Sequence, residues 1–311
     1  MDFLAQIGLF FLQAITIVIA ILVLVAGILS MRRKPQAEIE IISLSNQYQD
    51  TKKQMLRGVL RTKEKKQPKN KNKKPTLFIL DFIGDIKASA VEQLRDEISA
   101  ILSIAKNKDA ILLRLESPGG TVNGYGLAAS QLQRIRDKGI PLTVCIDKVA
   151  ASGGYLMACV ANEIIAAPFA IIGSIGVVAQ MPNFNRFLKK HAIDFEMVTA
   201  GDYKRTLTVF GENSEKGRQK FKEDLELIHK RFSEYVLLHR SQVDIDKVTT
   251  GEHWLAHDAF QLKLVDNLKT SDDYILDRID SFQIYKIAIE APKSLTAKLI
   301  KQVAKLTHPW A

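Results

Sequence analysis

Cysteine and histidine are both scarce in this chain, and each shortage removes a class of chemistry. The two cysteines, Cys145 and Cys159, fit neither a C-x-x-C redox spacing nor a zinc-ligand spacing. Both stand in apolar sequence and read as reduced core thiols, with a disulfide between them left open. The histidines His191, His229, His239, His253, His257 and His308 lie in charged segments or near the end of the chain. None pairs with a serine motif in a familiar order, which disfavours a Ser/His/Asp triad. No internal repeat is visible. The folded part carries neither a basic face nor a recognisable nucleic-acid module, so nucleic acid is not an expected partner.

Charge is missing altogether from one stretch, Phe3 to Met31. That run exceeds the roughly 20 residues needed to cross the hydrocarbon layer. A cleaved signal peptide would need a basic start, a shorter apolar core and a small-residue cleavage site. Here the start is MDF and the exit is SMRRK, so the run reads as an uncleaved N-terminal transmembrane helix over residues 1–31.

What is plentiful is positive charge, and it is localised. The chain has a net charge of +10, and residues 31–74 alone account for it, with 14 Lys/Arg against 4 Asp/Glu. Residues 32–75 read as a basic juxtamembrane linker, a signal for anionic lipid or for topology. Within it Met55, Leu56, Val59 and Leu60 share a helical face beside Lys52, Lys53, Arg57 and Arg61. That piece is either a helix on the membrane surface or a solvated coil.

From Pro75 the texture becomes that of an α/β domain over residues 76–290. Apolar runs at 76–82, 110–117, 141–147 and 162–168 read as buried strands. Helical patterns at 88–105 and 124–138 alternate with them, implying a largely parallel sheet. Residues 213–240 form a long charged helix. The final segment, 291–311, reads as a basic amphipathic helix.

Four short motifs stand out. SPGG (Ser117–Gly120) follows a strand, and its glycines allow backbone N–H groups to face a substrate as oxyanion donors; a plain strand-to-helix turn is the alternative. Ser152, in KVAASGGYLMACVA, opens a helix, where the dipole favours an attacking alkoxide; an ordinary N-cap is the alternative. GSIG (Gly173–Gly176) and AGDYKRT (Ala200–Thr206) follow. Lys204 can act as a base only if burial lowers its pKa from about 10.4 to roughly 7–8. Tyr203, Leu207 and Val209 around it are compatible with that, and an exposed lysine is the alternative.

The ordered set SPGG, ASGGY, GSIGV and GxYK resembles the signal peptide peptidase A and SohB group of serine proteases, peptidase family S49. LDFIGDIKAS (80–89) and the apolar segment followed by a basic stretch resemble the SohB branch, and WLAHDAFQLKLVDNL (254–268) also fits. The resemblance implies Ser152 as nucleophile, Lys204 as general base and Ser174 as the serine orienting the lysine amine. Gly119 and Gly120 match the oxyanion loop, with Gly153 as a second donor; which of the first two donates stays open. The implied fold is a crotonase/Clp-like α/β superhelix with a mostly parallel sheet, usually assembled as a homo-oligomeric ring. With one copy of the domain, both dyad members come from one subunit unless neighbours exchange segments.

The resulting expectation is a serine endopeptidase acting on peptide or protein substrates, with no metal or organic cofactor. Signal-peptide remnants and misfolded membrane or envelope proteins are the expected substrates. The alternatives are a catalytically degenerate membrane-bound ring scaffold and a crotonase-type acyl-CoA enzyme. The Lys/Arg excess after the apolar run favours a cytoplasmic domain. The family resemblance implies the periplasmic face of the inner membrane instead, and that is the expectation adopted.

Overall fold

The computed structural model describes residues 2–32, 38–59 and 74–290. The chain divides into two units, one of residues 1–39 with 289–311 and one of residues 40–288. Of the first, α1 (Asp2–Arg32) is described as a helix, with side chains described only for residues 7–21 and 24. Among the described residues no helix is long and apolar enough to cross a membrane. About half of the anchor expected over 1–31 falls outside the described side chains, and Leu60 and the expected terminal helix of 291–311 lie outside the described residues.

The segment expected to be linker is partly ordered. β1 (Glu38–Ser43) and α2 (Leu44–Val59) precede β2 (Thr76–Ile83), α3 (Val91–Ile104), β3 (Ala110–Glu116), α4 (Val122–Asp137) and β4 (Leu142–Ile146). Then come β5 (Val149–Ala151), α5 (Gly153–Ala158), β6 (Glu163–Ala166), β7 (Ile171–Gly173) and α6 (Asn185–Lys190). The long α7 (Glu215–His239) leads to α8 (Ile245–Val248), β8 (His253–Leu255), α9 (Ala256–Gln261), β9 (Asn267–Leu268), α10 (Ser271–Arg278) and β10 (Gln283–Glu290). The seven-stranded sheet has the order β1-β10-β2-β3-β4-β6-β9, and β5-β7-β8 form a second sheet. From β10 to β9 every pairing in the large sheet is parallel, as the strand–helix alternation predicts.

Alternation along β2 explains the two-sided core. Phe78, Leu80 and Phe82 face α3 and α4 in the larger cluster, while Leu77 and Ile79 face α10 in the smaller one. Side chains two apart on a strand share a face, so a strand buried on both sides reads as one continuous apolar run. α3 presents Val91, Leu94, Ile98 and Ile101 to the sheet at helical spacing.

Arg240, just past α7, fixes the back of the domain. Its guanidinium is 3% exposed and grips both Asp266 oxygens at 2.7 and 2.8 Å, with the Lys263 carbonyl at 2.9 Å. Burial works against its charge, but the Asp266 carboxylate outweighs burial and raises its pKa. Tyr155 of α5 donates to the Leu264 carbonyl at 2.9 Å in the same region, tying the helix after Ser152 to the rest of the domain. Cys145 and Cys159 are buried and unbridged, and burial pushes both thiols far up.

Candidate active site

The loop after β3 and the turn after β5 are brought together by backbone pairing. Ser117 N–H donates to the Val149 carbonyl at 2.9 Å and Ala151 N–H to the Ser117 carbonyl at 3.0 Å, a parallel bridge between Ser117 and Ala150. This places Gly119 directly on Ser152. A Cβ at Gly119 would lie 2.7 Å from the Ser152 Cβ and 2.8 Å from the Gly153 nitrogen, and Gly119 has φ +90°. Only glycine combines that backbone conformation with that approach.

Ser152 itself has φ 52° and ψ −119° and makes no side-chain cap bond to α5. The N-cap alternative therefore fails: the hydroxyl satisfies no helix N–H. A non-glycine residue in this region costs about 1–3 kcal/mol, and such residues cluster at functional sites. A serine on a sharp strand-to-helix turn is also how a nucleophile is presented in unrelated hydrolases.

Ser152 N–H donates to the Gly173 carbonyl at 2.7 Å, continuing the β5–β7 register in which Ala151 pairs with Gly173. The next residue along each strand is a serine, Ser152 after Ala151 and Ser174 after Gly173. Ser174 also has positive φ, 53°, and its N–H donates to the Glu252 carbonyl at 2.6 Å.

The SPGG loop is held from behind by a hydrogen-bond chain that the sequence did not reveal. Gly119 N–H donates to Ser117 Oγ at 3.1 Å, Ser117 Oγ lies 2.5 Å from Tyr125 OH, and Tyr125 OH donates to the Asp85 carbonyl at 2.8 Å. Each hydroxyl has one proton. Tyr125 gives its proton to Asp85, so Ser117 must give its own to Tyr125, and every direction in the chain is fixed. Burial pushes the Tyr125 phenol up, keeping it a donor. The signal for Tyr125 was weak: a lone aromatic flanked by glycines in NGYGL, on the face of α4 toward the sheet.

This chain bears on the question left open between Gly119 and Gly120. The Gly119 N–H is committed to Ser117. The N–H groups of Gly120 and Gly153 have no acceptor among the described residues. Gly120 is pinned by its contact with the Ile86 carbonyl, which a Cβ would approach to 2.1 Å, and Thr121 N–H donates to that same carbonyl at 2.8 Å.

Lys204 is not joined to this cluster within the chain. It is exposed on a turn, its N–H donates to the Gly201 carbonyl at 3.2 Å, and its ammonium has no bonded partner among the described residues. Neither Ser152 Oγ nor Ser174 Oγ bonds it. The segment around it packs on itself through Phe184, Phe195 and Phe210 yet leaves Phe187 58% and Val198 97% exposed. Among the described residues no group of acidic, His or Cys side chains could hold a metal ion.

Comparison with known proteins accounts for nearly the whole chain. The peptidase family S49 N-terminal region matches residues 2–132 and the peptidase family S49 region matches residues 134–284. A probable protease SohB of Haemophilus influenzae is 47% identical over 97% of this chain and 93% of its own length. A probable protease SohB of Buchnera aphidicola from Schlechtendalia chinensis is 47% identical over 89% of this chain and all of its own. Protease 4 of Haemophilus influenzae is 30% identical over 58% of this chain and 30% of its own. With this identity along its length and an α/β domain built on a mostly parallel sheet, the chain belongs to peptidase family S49 as a SohB-like member and is a peptidase.

Proposed function

We propose that the chain is a membrane-anchored serine endopeptidase with Ser152 as nucleophile and Lys204 as general base. The observation that carries this reading is the strained, uncapped Ser152 pressed against Gly119 at the β5–α5 turn. A neutral Lys204 amine takes the Ser152 proton, and the alkoxide attacks the peptide carbonyl. The N–H groups of Gly120 and Gly153 stabilise the oxyanion. The lysine ammonium then protonates the leaving amine, and water reverses the sequence to release the acyl group. Ser174, beside Ser152, orients the amine.

The exposed position of Lys204, on a segment that leaves Phe187 and Val198 in solvent, supports delivery of the lysine by a neighbouring copy in a homo-oligomeric ring of crotonase/Clp-like superhelical subunits. Docking would also dry the amine, the change that lowers a lysine pKa. Ile86 beside the Gly120 turn and Val178 after GSIG are 73% and 78% exposed, which supports a groove for apolar segments such as signal-peptide remnants and misfolded membrane proteins. Anchoring through the uncharged run in α1, with the protease domain on the periplasmic face of the inner membrane, would bring such substrates within reach.

The test is cleavage of membrane-derived or unfolded peptides by Ser152→Ala and Lys204→Ala. Each variant is expected to lose at least about 10³-fold in kcat. Undiminished cleavage by either one would remove the dyad.

A further inference from the structure

We propose that the C-terminal half of α2 is a docking surface for an anionic phospholipid bilayer. This goes beyond the peptidase reading and does not depend on it. Leu44, Tyr48, Met55 and Val59 recur at helical spacing and form one stripe. The stripe is used unequally. Leu44 and Tyr48 pack on the smaller core cluster, and Ser45 Oγ accepts from the Ile284 N–H at 2.8 Å, so the first turns are fixed to the sheet. Further along the same stripe Met55 is 59% and Val59 68% exposed. The helix has no fully buried residue. Its apolar face outruns the protein surface it packs on.

Charge decides what covers the overhang. Lys52, three residues before Met55, is exposed on the flank of the overhang with no acidic partner among the described residues, whereas Lys53 pairs with Asp50 at 3.2 Å. The sequence then continues with 8 basic residues against 1 acid, Glu64, between Arg61 and Lys74. A partner for this surface must be apolar below and anionic around. The segment 294–306 is apolar enough but carries Lys298, Lys301 and Lys305 and no acid, so like charges oppose it. A second copy of α2 packed stripe to stripe would set Lys52 against its own copy near a two-fold axis. An anionic bilayer supplies both requirements: an acyl region for Met55 and Val59, and headgroups for the lysines and arginines. Two apolar side chains alone hold a helix at an interface weakly, so contact should depend on lipid charge.

The test uses the full chain in lipid nanodiscs, with an environment-sensitive fluorophore on Met55→Cys or, as a control on another face, Gln49→Cys. The native thiols are buried and stay unlabelled in the folded protein. Co-elution with neutral phosphatidylcholine discs reports membrane insertion; the label reports α2 separately. In discs with about 30% phosphatidylglycerol, the Met55 label should shift to the blue and be quenched at least about twofold by lipid-borne quencher. It should return toward the Gln49 signal in high salt, because screening weakens surface charge contacts. A Met55 label that matches the Gln49 label in both disc types overturns the proposal. So does shielding equal in neutral discs, or shielding in detergent that grows with protein concentration, which would indicate contact between copies.

Discussion

Tyr125 OH lies 2.5 Å from Ser117 Oγ in the interior, and this contact links the carbonyl of Asp85 to the N–H of Gly119 through two hydroxyl groups. The Ser117–Gly120 turn is thus held by hydrogen bonds as well as by packing. Tyr125→Phe removes the acceptor for Ser117 and frees the turn to shift. The expected result is a fall of about tenfold in kcat with KM little changed, and a stability loss of about 1 kcal/mol. Steady-state kinetics and urea unfolding measure the two. A rise in KM with kcat intact would mean that Tyr125 shapes substrate binding rather than the turn.

Ser152 pays for its position in backbone strain, with φ 52°. Ser152→Gly and Ser152→Ala should both abolish hydrolysis. The glycine variant should be more stable than the alanine variant by about 1 kcal/mol, because glycine adopts this conformation freely. Equal thermal stability of the pair would show that the turn is unstrained.

Gly153 faces the ring of Tyr125, and a Cβ there would lie 2.3 Å from Cγ of that ring. The ring is itself wedged edge-on against Phe82, with centroids 6.4 Å apart, and cannot retreat. Gly153→Ala should cost about 1–3 kcal/mol through overpacking and displace the Gly153 N–H proposed above as an oxyanion donor. Retained activity with unchanged denaturation midpoint would contradict the observed packing.

Asp81 accepts two hydrogen bonds from Arg114, at 2.6 and 2.8 Å, and pairs with Lys286 at 2.7 Å. Burial raises the pKa of this carboxyl, but the two cations outweigh it and hold the group below its ordinary 3.8. The folded chain therefore binds this proton more weakly than the unfolded one. Its contribution to stability is complete above about pH 4 and is lost as the pH falls through the lowered folded value. Asp81→Asn should be destabilised at neutral pH and show a shallower loss of stability than wild type below about pH 4, read from denaturation midpoints across pH. Parallel curves would remove Asp81 as the titrating group.

Lys204 projects from one chain without touching the Ser152 of that chain. If a neighbour supplies it, two inactive variants should restore each other. An equal, randomly exchanged mixture of Ser152→Ala and Lys204→Ala should recover about a quarter of wild-type activity, because one site in four pairs an intact serine with an intact lysine. No recovery in demonstrably mixed oligomers would place both members in one subunit.

The strands β2, β3, β4 and β6 and the helices α3, α4 and α7 were legible because each is a local pattern: a two-sided apolar run or a stripe at helical spacing. The small residues around Ser152 and the paired glycines at 119 and 120 were legible for the same reason, since steric tolerance is written in single residues. β1 was not, although EIEIIS (38–43) alternates, because a basic tract dominates its surroundings and its partner β10 lies near the other end of the chain. Tyr125 was invisible as part of the site because its role depends on Ser117 and Asp85, which meet it only once α4 packs on the sheet. Sequence alone determined the chemistry on offer, through which side chains exist and which backbone positions tolerate close approach. Tertiary structure decided which of them meet, because a hydrogen bond needs two groups within about 3 Å, and no one-dimensional pattern encodes that distance.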